Sequence, residues 1–286
     1  MSTLRRYAWI KKEKSSKISN KNIVLFDMDG TLTPPRQKFD VNLLQPLRTL
    51  AKHAEIGIVS GSDYNYISEQ LELLIQRSEL KYKLHLLPCN GTKYYSPPKD
   101  NISQHTLIES QDMRSYLGKA VFDTLVREIL SLQEHISWQD IPLSGNFISY
   151  RDSMINWCPS GRDMSPSQRE AFITKDGGSK PSLRERYLHR LLVRLDRLAL
   201  SEKIVCTLGG DTSFDIYPAG WDKTYALKYF QNRKVWFVGD RCEDGGNDKT
   251  LYDALLKEKR AWQTTGPKNT KDIMEIITKD IQGEML

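Results

Sequence analysis

Short apolar runs alternate along the chain with longer amphipathic stretches. Four of the runs end in polar residues or glycine: NIVLFD (22–27), EIGIVS (55–60), KLHLLPCNG (83–91) and KVWFVGD (234–240). Such runs are typical of strands that are buried on both faces of a parallel sheet. Helical periodicity at 40–54 and 63–77 separates the first three runs. The pattern therefore predicts an α/β core with a doubly wound parallel sheet.

The middle of the chain has a different pattern. A helical stretch at 114–135 precedes alternating segments at 145–157 and 203–218, each with turn residues near its centre. Alternation of this kind predicts β-hairpins, and hence an antiparallel sheet in an inserted α+β module. The predicted domains are a core at 22–98 and 217–286 and an inserted module at 99–216.

The net charge of +6 belongs to the start of the chain. Residues 1–22 hold seven lysines and arginines and one acidic residue, Glu13, so the remainder is neutral overall. We interpret residues 1–21 as a basic leader, most often a solvated terminus, with a weak anion-binding arm or a targeting sequence as alternatives. The charge of the folded body gives no reason to expect a nucleic-acid partner.

Neither a membrane anchor nor a disulfide framework is indicated. No apolar run approaches the roughly 18 residues of a transmembrane helix, and no secretory signal is visible. The cysteines are far apart and form no C-x-x-C pair, which favours reduced thiols over a zinc site. We expect a cytoplasmic protein without a membrane partner. The four cysteines are Cys89, Cys158, Cys206 and Cys242.

Acidic residues follow the first and the last predicted strands of the core. Asp27 and Asp29 lie in DMDGT, and Asp240 and Asp248 lie in GDRCEDGGND. Ligands bind at the carboxyl ends of parallel strands, so these carboxylates are expected to converge. A lone D-x-D is more often a turn or helix cap, but two such clusters favour a site. Oxygen donors without histidine suit Mg²⁺ better than zinc.

Two neighbouring carboxylates allow a division of roles in phosphoryl transfer. Asp27, at the end of its strand, can attack phosphorus and become an aspartyl phosphate. Asp29 can protonate the leaving oxygen and then deprotonate the next attacking group. Backbone N–H groups and positive side chains would stabilise the transferring group. The residues expected to bind this phosphate are Gly30, Thr31, Ser60, Gly61 and Lys223.

The motifs DMDGT, SGSD, WDK and GDRCEDGGND resemble the four motifs of the haloacid dehalogenase superfamily of phosphotransferases. The resemblance implies that Asp27 is the nucleophile and Asp29 the acid/base, on a Rossmann-like core. The inserted module would be a cap domain that selects the substrate. The implied Mg²⁺ ligands are Asp27, the Asp29 backbone carbonyl, Asp240 and Asp248.

From about 22 to 260 the chain is similar to eukaryotic-type phosphomannomutases. The similarity is carried by LFDMDGTLTPPRQ, GNFISYRDSMINWCPSGRDMSPSQRE, GGDTSFDIYPAGWDK and GGND. It implies three cap arginines that grip the far phosphate of a hexose monophosphate, a sugar-contacting pair, and Arg36 reaching the substrate from the core–cap interface. It also implies a hexose 1,6-bisphosphate activator and a homodimer formed through the cap. The arginines fall on Arg151, Arg162 and Arg169, and the pair falls on Ser213 and Asp215.

The chemistry of these side chains agrees with the resemblance. The planar fork of arginine suits bidentate binding of phosphate. Before Arg169, the segment SPSQ predicts a helix that Ser165 caps, that Pro166 opens and in which Gln168 completes a capping box. Arg169 would then lie in the first helical turn, where the helix N-terminus itself attracts anions.

Several positions depart from the pattern of that family. Cys89 replaces a usually acidic residue, and Arg241, Glu243 and Asp244 replace mostly uncharged residues of the metal loop. None of these changes removes a predicted catalytic residue, although the added acids are expected to bear on metal affinity.

Three hypotheses follow. The first is a phosphomannomutase that interconverts mannose 6-phosphate and mannose 1-phosphate for GDP-mannose synthesis. The second is a Mg²⁺-dependent sugar-phosphate phosphatase, which needs only one phosphate site and not the three arginines. The third is a non-catalytic binding protein that uses the basic leader.

Overall fold

The computed structural model describes residues 21–136 and 143–283. The basic leader predicted at 1–21 lies outside the described residues except for Lys21, and so do the last three residues of the predicted core. The strands, in chain order, are β1 (Asn22–Phe26), β2 (Glu55–Val59), β3 (Leu84–Leu87), β4 (Lys93–Ser96), β5 (Thr106–Ser110), β6 (Ile148–Tyr150), β7 (Ile155–Trp157), β8 (Ile204–Gly209), β9 (Ser213–Pro218), β10 (Lys234–Gly239) and β11 (Ala261–Gln263). The α-helices are α1 (Leu44–Leu50), α2 (Tyr64–Gln70), α3 (Met113–Leu117), α4 (Lys119–Glu134), α5 (Pro166–Gly177), α6 (Leu183–Arg197), α7 (Lys249–Leu256) and α8 (Pro267–Gly283).

The larger sheet has seven strands in the order β11-β10-β1-β2-β3-β4-β5. The first five of these run parallel, and β4 and β5 add an antiparallel hairpin at one edge. The ladder between β1 and β10 pairs Phe26 with Val238 and continues for one residue, since the Asp27 N–H donates to the Val238 carbonyl at 2.9 Å. The carboxyl ends of β1, β2, β3 and β10 therefore share one edge.

Strand β1 shows why helices cover both faces of this sheet. All five of its residues are buried, and successive side chains alternate between two hydrophobic clusters. Val24 and Phe26 belong to a cluster with residues of α1, α2 and α8. Ile23 and Leu25 belong to a second cluster with residues of α7 and of the 3₁₀ helix Lys223–Phe230. The predicted doubly wound core is confirmed.

The smaller sheet is antiparallel, with strand order β6-β7-β9-β8. Its apolar face packs on the helices α3, α4 and α6, where Trp157 stacks on Phe214 with ring centroids 4.7 Å apart. The alternate residues of the same strands, among them Asn156 and Asp215, point the other way. Both predicted hairpins are present, as β6–β7 and β8–β9.

The larger sheet extends beyond the predicted start of the inserted module at residue 99. Strand β4 pairs with β3 through Tyr95 and Leu86, and β5 pairs with β4 as far as Thr106 opposite Ser96. The core sheet therefore includes Ser110. Strand β5 is mostly exposed, so its sequence lacks the buried apolar run from which β1, β2, β3 and β10 were predicted. At the far end, β9 carries the smaller sheet to Pro218.

The predicted helices are present but interrupted. The stretch at 114–135 is divided at Gly118, whose φ of 79° ends α3 before α4 begins. The stretch at 63–77 becomes α2 followed by a π-helical turn at Leu73–Arg77. The stretch at 40–54 opens with a 3₁₀ turn capped by Asp40. None of the helices in the described ranges combines the length and hydropathy needed to span a bilayer.

Candidate active site

A tight turn after β1 shapes the core side of the site. The Met28 carbonyl accepts the N–H groups of Leu32 and Thr33 at 2.9 and 3.0 Å, and the Gly30 N–H donates to the Thr33 carbonyl at 2.7 Å. Gly30 has a φ of +81°, and a Cβ added there would lie 2.2 Å from Oδ2 of Asp240. Glycine is required at this position because both the backbone conformation and the close approach of Asp240 exclude a side chain.

Three carboxylates meet beside a buried lysine. One oxygen from each of Asp27, Asp240 and Asp248 lies within 4.8 Å of the others. The Lys223 Nζ donates to Oδ1 of Asp27 and to Oδ1 of Asp248, and the lysine side chain is 0% exposed. Lys223 opens its 3₁₀ helix, which Asp222 caps by accepting the Thr224 N–H at 2.8 Å. The lysine therefore joins the carboxyl edges of β1 and β10.

The cluster carries more negative charge than this one lysine neutralises. Burial raises the pKa of Asp27 well above its usual value, Lys223 opposes the rise, and the carboxylates of Asp248 and Asp240 add to it. Burial, with the charge of Asp248, raises the pKa of Asp240 to about 6. Burial alone would lower the pKa of Lys223, but Asp248 and Asp27 raise it above its usual value, so the lysine is protonated.

Asp29 is held apart from this cluster by two donors. Its Oδ1 accepts the backbone N–H of Arg36 at 3.0 Å and the hydroxyl of Tyr66 at 3.1 Å. Burial and the charge of Asp29 raise the pKa of Tyr66, so the phenol keeps its proton and remains a donor. Arg36 itself has a left-handed φ of 58° at the end of the DMDGTLTPP segment. The two aspartates of the motif thus have different surroundings.

The segment after β2 is fixed against the segment after β3. The Ser60 N–H donates to the Leu87 carbonyl at 3.2 Å, and the Ser60 carbonyl accepts the Asn90 N–H at 2.8 Å. Ser60 is buried, and its hydroxyl accepts the Ser62 N–H at 3.1 Å. A Cβ added at Gly61 would lie 3.4 Å from Oδ2 of Asp215, so this loop lies directly against the smaller sheet.

Asn156 organises the wall that the smaller sheet contributes. Its Nδ2 donates to Oδ1 of Asp215 at 2.7 Å and to the Ser213 hydroxyl at 3.0 Å, while its Oδ1 accepts from Nη2 of Arg162. Burial, with the charge of Arg151, lowers the pKa of Arg162. Nε of Arg162 is buried and has no acceptor among the residues that the structure describes. Such a buried donor favours an anionic ligand.

Arg169 lies near the start of α5, which begins as predicted. Ser165 and Gln168 form the capping box, and Pro166 is the first helical residue. Nη2 of Arg169 donates to Oδ2 of Asp211 at 2.6 Å, while its buried Nε has no acceptor within the described ranges. The third predicted arginine, Arg151, donates from Nη1 to the Gly61 carbonyl at 2.8 Å and so contacts the core directly.

The two walls enclose a cavity of about 380 Å³. Residues of the carboxyl edge of the core lie on one side and residues of the antiparallel module on the other. Of the predicted site residues, those that line the cavity are Asp27, Asp29, Arg36, Ser60, Gly61, Arg151, Arg162, Arg169, Ser213, Asp215 and Asp240. Those that do not line it are Gly30, Thr31, Lys223 and Asp248. Lys223 nevertheless contacts Asp27 directly. The hydroxyl of Thr31 is buried and has no partner in the described part of the chain.

The acidic cluster fits a divalent cation such as Mg²⁺. Its donors are carboxylate oxygens close enough to share one ion, and histidine is absent from this group. The raised pKa values of Asp27 and Asp240 show that the cluster favours additional positive charge. Asp27, Asp240 and Asp248 would hold the ion. The backbone carbonyl of Asp29 stays a predicted fourth ligand.

Among the cavity residues that were not predicted, Asn156, Tyr66 and Asp211 hydrogen-bond to predicted site residues. Asn156 lies between buried Ile155 and Trp157, so strand alternation alone turns it away from the apolar face and toward the cavity. Its position was therefore predictable. Tyr66 and Asp211 gave no such signal, because a half-buried tyrosine of α2 and an aspartate in a hairpin turn are equally common in a protein without a cavity there.

A model of the family described as eukaryotic phosphomannomutase matches residues 43–280 of the chain. A phosphomannomutase of Arabidopsis thaliana is 36% identical over 235 residues, which are 81% of this chain and 87% of the relative. Phosphomannomutase 1 of Dictyostelium discoideum is 35% identical over 257 residues, which are 88% of this chain and 94% of the relative.

A solved structure of similar fold is the IMP-bound, N-terminally truncated IMP-nucleotidase of Plasmodium falciparum. It has a TM-score of 0.60 and 14% sequence identity, and the match covers 93% of this chain and 69% of that chain. At this identity the likeness concerns the fold alone, and it agrees with a parallel core that carries a separate antiparallel cap.

Proposed function

Since this chain belongs to the family of eukaryotic phosphomannomutases, we propose that it interconverts mannose 6-phosphate and mannose 1-phosphate through an aspartyl phosphate and a hexose 1,6-bisphosphate. The predicted family resemblance and the haloacid dehalogenase fold are confirmed. The proposal rests mainly on one observation: the two walls of the cavity carry opposite charge. An acidic cluster with a lysine lies on the core side, and arginines with unused donors lie on the cap side.

In the proposed reaction the core carries out the chemistry. A carboxylate oxygen of Asp27 attacks phosphorus, and the phosphoryl group moves from the sugar oxygen to the aspartate. Asp29, oriented by Tyr66, donates a proton to the departing sugar oxygen, which leaves as a hydroxyl, and takes a proton back from the hydroxyl that attacks next. Lys223 stabilises charge beside Asp27. A Mg²⁺ ion held by the acidic cluster would neutralise phosphate charge.

Around the same centre, the buried Thr31 hydroxyl, the Ser60 hydroxyl and the backbone N–H of Gly61 are proposed to bind the transferring phosphate, while Gly30 allows the close turn beside it. Thr31 Oγ1 is buried without a partner in the described residues, so its hydroxyl is free to hydrogen-bond to a ligand. The Ser60 segment is held rigidly between β2 and β3, which supplies the preorganisation that such binding requires.

The cap is proposed to hold the other end of the substrate. Arg151, Arg162 and Arg169 would bind the phosphate that is not reacting, because a doubly charged phosphate satisfies the unused buried Nε donors of Arg162 and Arg169. Arg36 would reach the substrate at the core–cap interface. Ser213 and Asp215, both bonded to Asn156, would bind sugar hydroxyls. The bisphosphate must then turn round while the cap excludes water from the aspartyl phosphate.

Four finer expectations stay predictions. They are the role in GDP-mannose synthesis, activation by a hexose 1,6-bisphosphate, a homodimer formed through the cap, and a cytoplasmic location. The last is supported by the four cysteines, which are all buried as free thiols in the structure.

The proposal is tested by incubating the full chain with mannose 6-phosphate, Mg²⁺ and a trace of hexose 1,6-bisphosphate, and following products by phosphorus NMR. We expect mannose 1-phosphate with only a small amount of inorganic phosphate. Arg162→Ala should abolish its formation, whereas Arg186→Ala, on the exposed face of α6, should not. Release of inorganic phosphate alone would mean that the protein is a phosphatase and not a mutase.

A further inference from the structure

Two arginines cross the cleft in opposite directions. Arg151 of the cap donates to the Gly61 carbonyl of the core, as described above. Arg241, in the loop after β10 of the core, donates from Nη1 to the Gly210 carbonyl at 3.0 Å and from Nη2 to Oδ1 of Asp211 at 2.5 Å. Gly210 and Asp211 form the turn between β8 and β9 of the cap. The cavity is therefore bridged at both sides.

Asp211 lies between two arginines that belong to different halves of the molecule. Its Oδ1 binds Arg241 and its Oδ2 binds Arg169 at 2.6 Å. Burial would raise the pKa of Asp211, but the hydrogen bond from Arg169 and the charges of Arg241 and Arg169 outweigh burial and lower it. The carboxylate is thus ionised and joins the core to a phosphate-binding arginine of the cap. It occupies only one nitrogen of Arg169, whose Nε remains available.

Both ends of this contact are anchored. On the core side, the Arg241 N–H donates to Oδ2 of Asp248 at 3.0 Å, and the Asp248 N–H donates to the Arg241 carbonyl at 3.1 Å. On the cap side, buried Arg184 donates to the Gly210 carbonyl at 2.9 Å and is itself held by Asp176 at 2.7 Å. A displacement of the hairpin turn would therefore act on the loop that carries the acidic cluster.

We propose that Asp211 and Arg241 are positioning residues that form a latch between cap and core. The latch closes only when the β8–β9 turn lies on the metal loop. It keeps the cap over Asp27 and holds Arg169 at the orientation in which its remaining donor faces the cavity. The proposal rests on the proposed function for its catalytic consequence, which is the transfer of the phosphoryl group to a sugar hydroxyl rather than to water. Its structural consequence, cap closure, is independent of that function.

The first measurement is cap position in the absence of substrate. Spin labels at Glu202→Cys in the cap and Glu275→Cys in the core report the distance between the two halves, because both positions are exposed and the four native cysteines are buried. We expect Asp211→Asn and Arg241→Gln each to shift the distance distribution to longer values. The double variant should add little to either one, since each change breaks the same contact. Asp253→Asn, which removes an exposed ion pair within α7, is the matched control.

The second measurement is the amount of inorganic phosphate released per mannose 1-phosphate formed. Asp211→Asn and Arg241→Gln should raise this ratio by roughly fivefold, the upper range for a partly exposed ion pair, and Arg241→Lys should recover part of it. Unchanged distances in Asp211→Asn and Arg241→Gln would overturn the latch, even if Arg241→Gln weakened substrate binding by direct contact. Shifted distances in a protein that shows no mutase activity would support the latch and would contradict the proposed function instead.

Discussion

Asn156 and Asp215 stand directly opposite each other on β7 and β9, and the Asn156 amide donates to the Asp215 carboxylate at 2.7 Å. The same amide group contacts Ser213 through Nδ2 and Arg162 through Oδ1. One neutral side chain therefore fixes an acid, a hydroxyl and an arginine on the cap wall. This arrangement makes Asn156 a sensitive position although it carries no charge.

Replacing Asn156 by alanine should raise the KM for mannose 6-phosphate at least about tenfold, because hydrogen bonds to charged groups contribute about 1.5–3 kcal/mol. The rate constant kcat should fall less than KM rises, since Asn156 lies on the cap wall and not beside Asp27. Steady-state kinetics measures both. Asn101→Ala, at an exposed core position, should leave both constants unchanged. A tenfold fall in kcat at constant KM would contradict the assigned role.

Lys223→Met should destabilise the metal-free protein by about 3–5 kcal/mol, because the lysine is the buried counter-charge between Asp27 and Asp248. Urea unfolding monitored by circular dichroism gives this difference. Lys257→Met, at an exposed position after α7, is the matched control and should have little effect. Equal unfolding free energies for wild type and Lys223→Met would mean that the carboxylates are compensated in another way.

The stability of the metal-free protein should depend on pH through Asp240. Its pKa rises from the usual 3.8 to about 6 on folding, so between these values the folded state binds more protons than the unfolded state. The free energy of unfolding contributed by this group therefore decreases as pH rises through that window. A bound Mg²⁺ requires the ionised carboxylate, so the increase in Tm on adding Mg²⁺ should grow from pH 5 to pH 7.

Differential scanning calorimetry with and without Mg²⁺ tests this dependence. Asp240→Asn should remove most of the Mg²⁺-induced rise in Tm at pH 7 and should flatten the dependence on pH. Asp272→Asn, at an exposed position of α8 outside this loop, should retain both effects. A Mg²⁺-induced shift of equal size at both pH values would count against Asp240 as a ligand.

Tyr66→Phe should lower kcat several-fold with little change in KM. The hydroxyl donates to Oδ1 of Asp29 at 3.1 Å and orients the proposed acid/base, while the ring stays in place against the core. Tyr64→Phe is a suitable comparison, since Tyr64 stacks on Tyr95 and is not one of the hydrogen-bond donors to Asp29 in the described part of the chain. If Tyr66→Phe raised KM without affecting kcat, Tyr66 would be a substrate-binding residue instead.

Sequence reasoning located the core side of the site because the chemistry there is tied to strand ends. Asp27 ends a buried run and Asp240 ends another, and a parallel sheet places the two ends at one edge without further information. The capping box before Arg169 was equally predictable from the sequence, since it depends on four consecutive residues. In each of these cases the decisive contacts are local or follow from sheet geometry.

The contacts between cap and core could not be obtained in this way. Arg241 was recognised as an unusual residue of the metal loop, but its partner Asp211 is 30 residues away in a different sheet. Their pairing depends on the angle at which the cap meets the core. No periodicity or spacing encodes that angle, because it results from the packing of the smaller sheet and its helices against the carboxyl edge of the larger sheet.

The joint between the two units is short. Strand β9, which carries Ser213 and Asp215, ends at Pro218, and Lys223 begins its helix after only four intervening residues. The residues proposed to bind the sugar and the buried lysine thus belong to one nearly continuous segment. An engineer who exchanged this cap for another would have to preserve the length of 219–222 to the residue, because an added residue would shift the ammonium group out of register with its carboxylates. The part of the cap that could be exchanged therefore ends at Pro218.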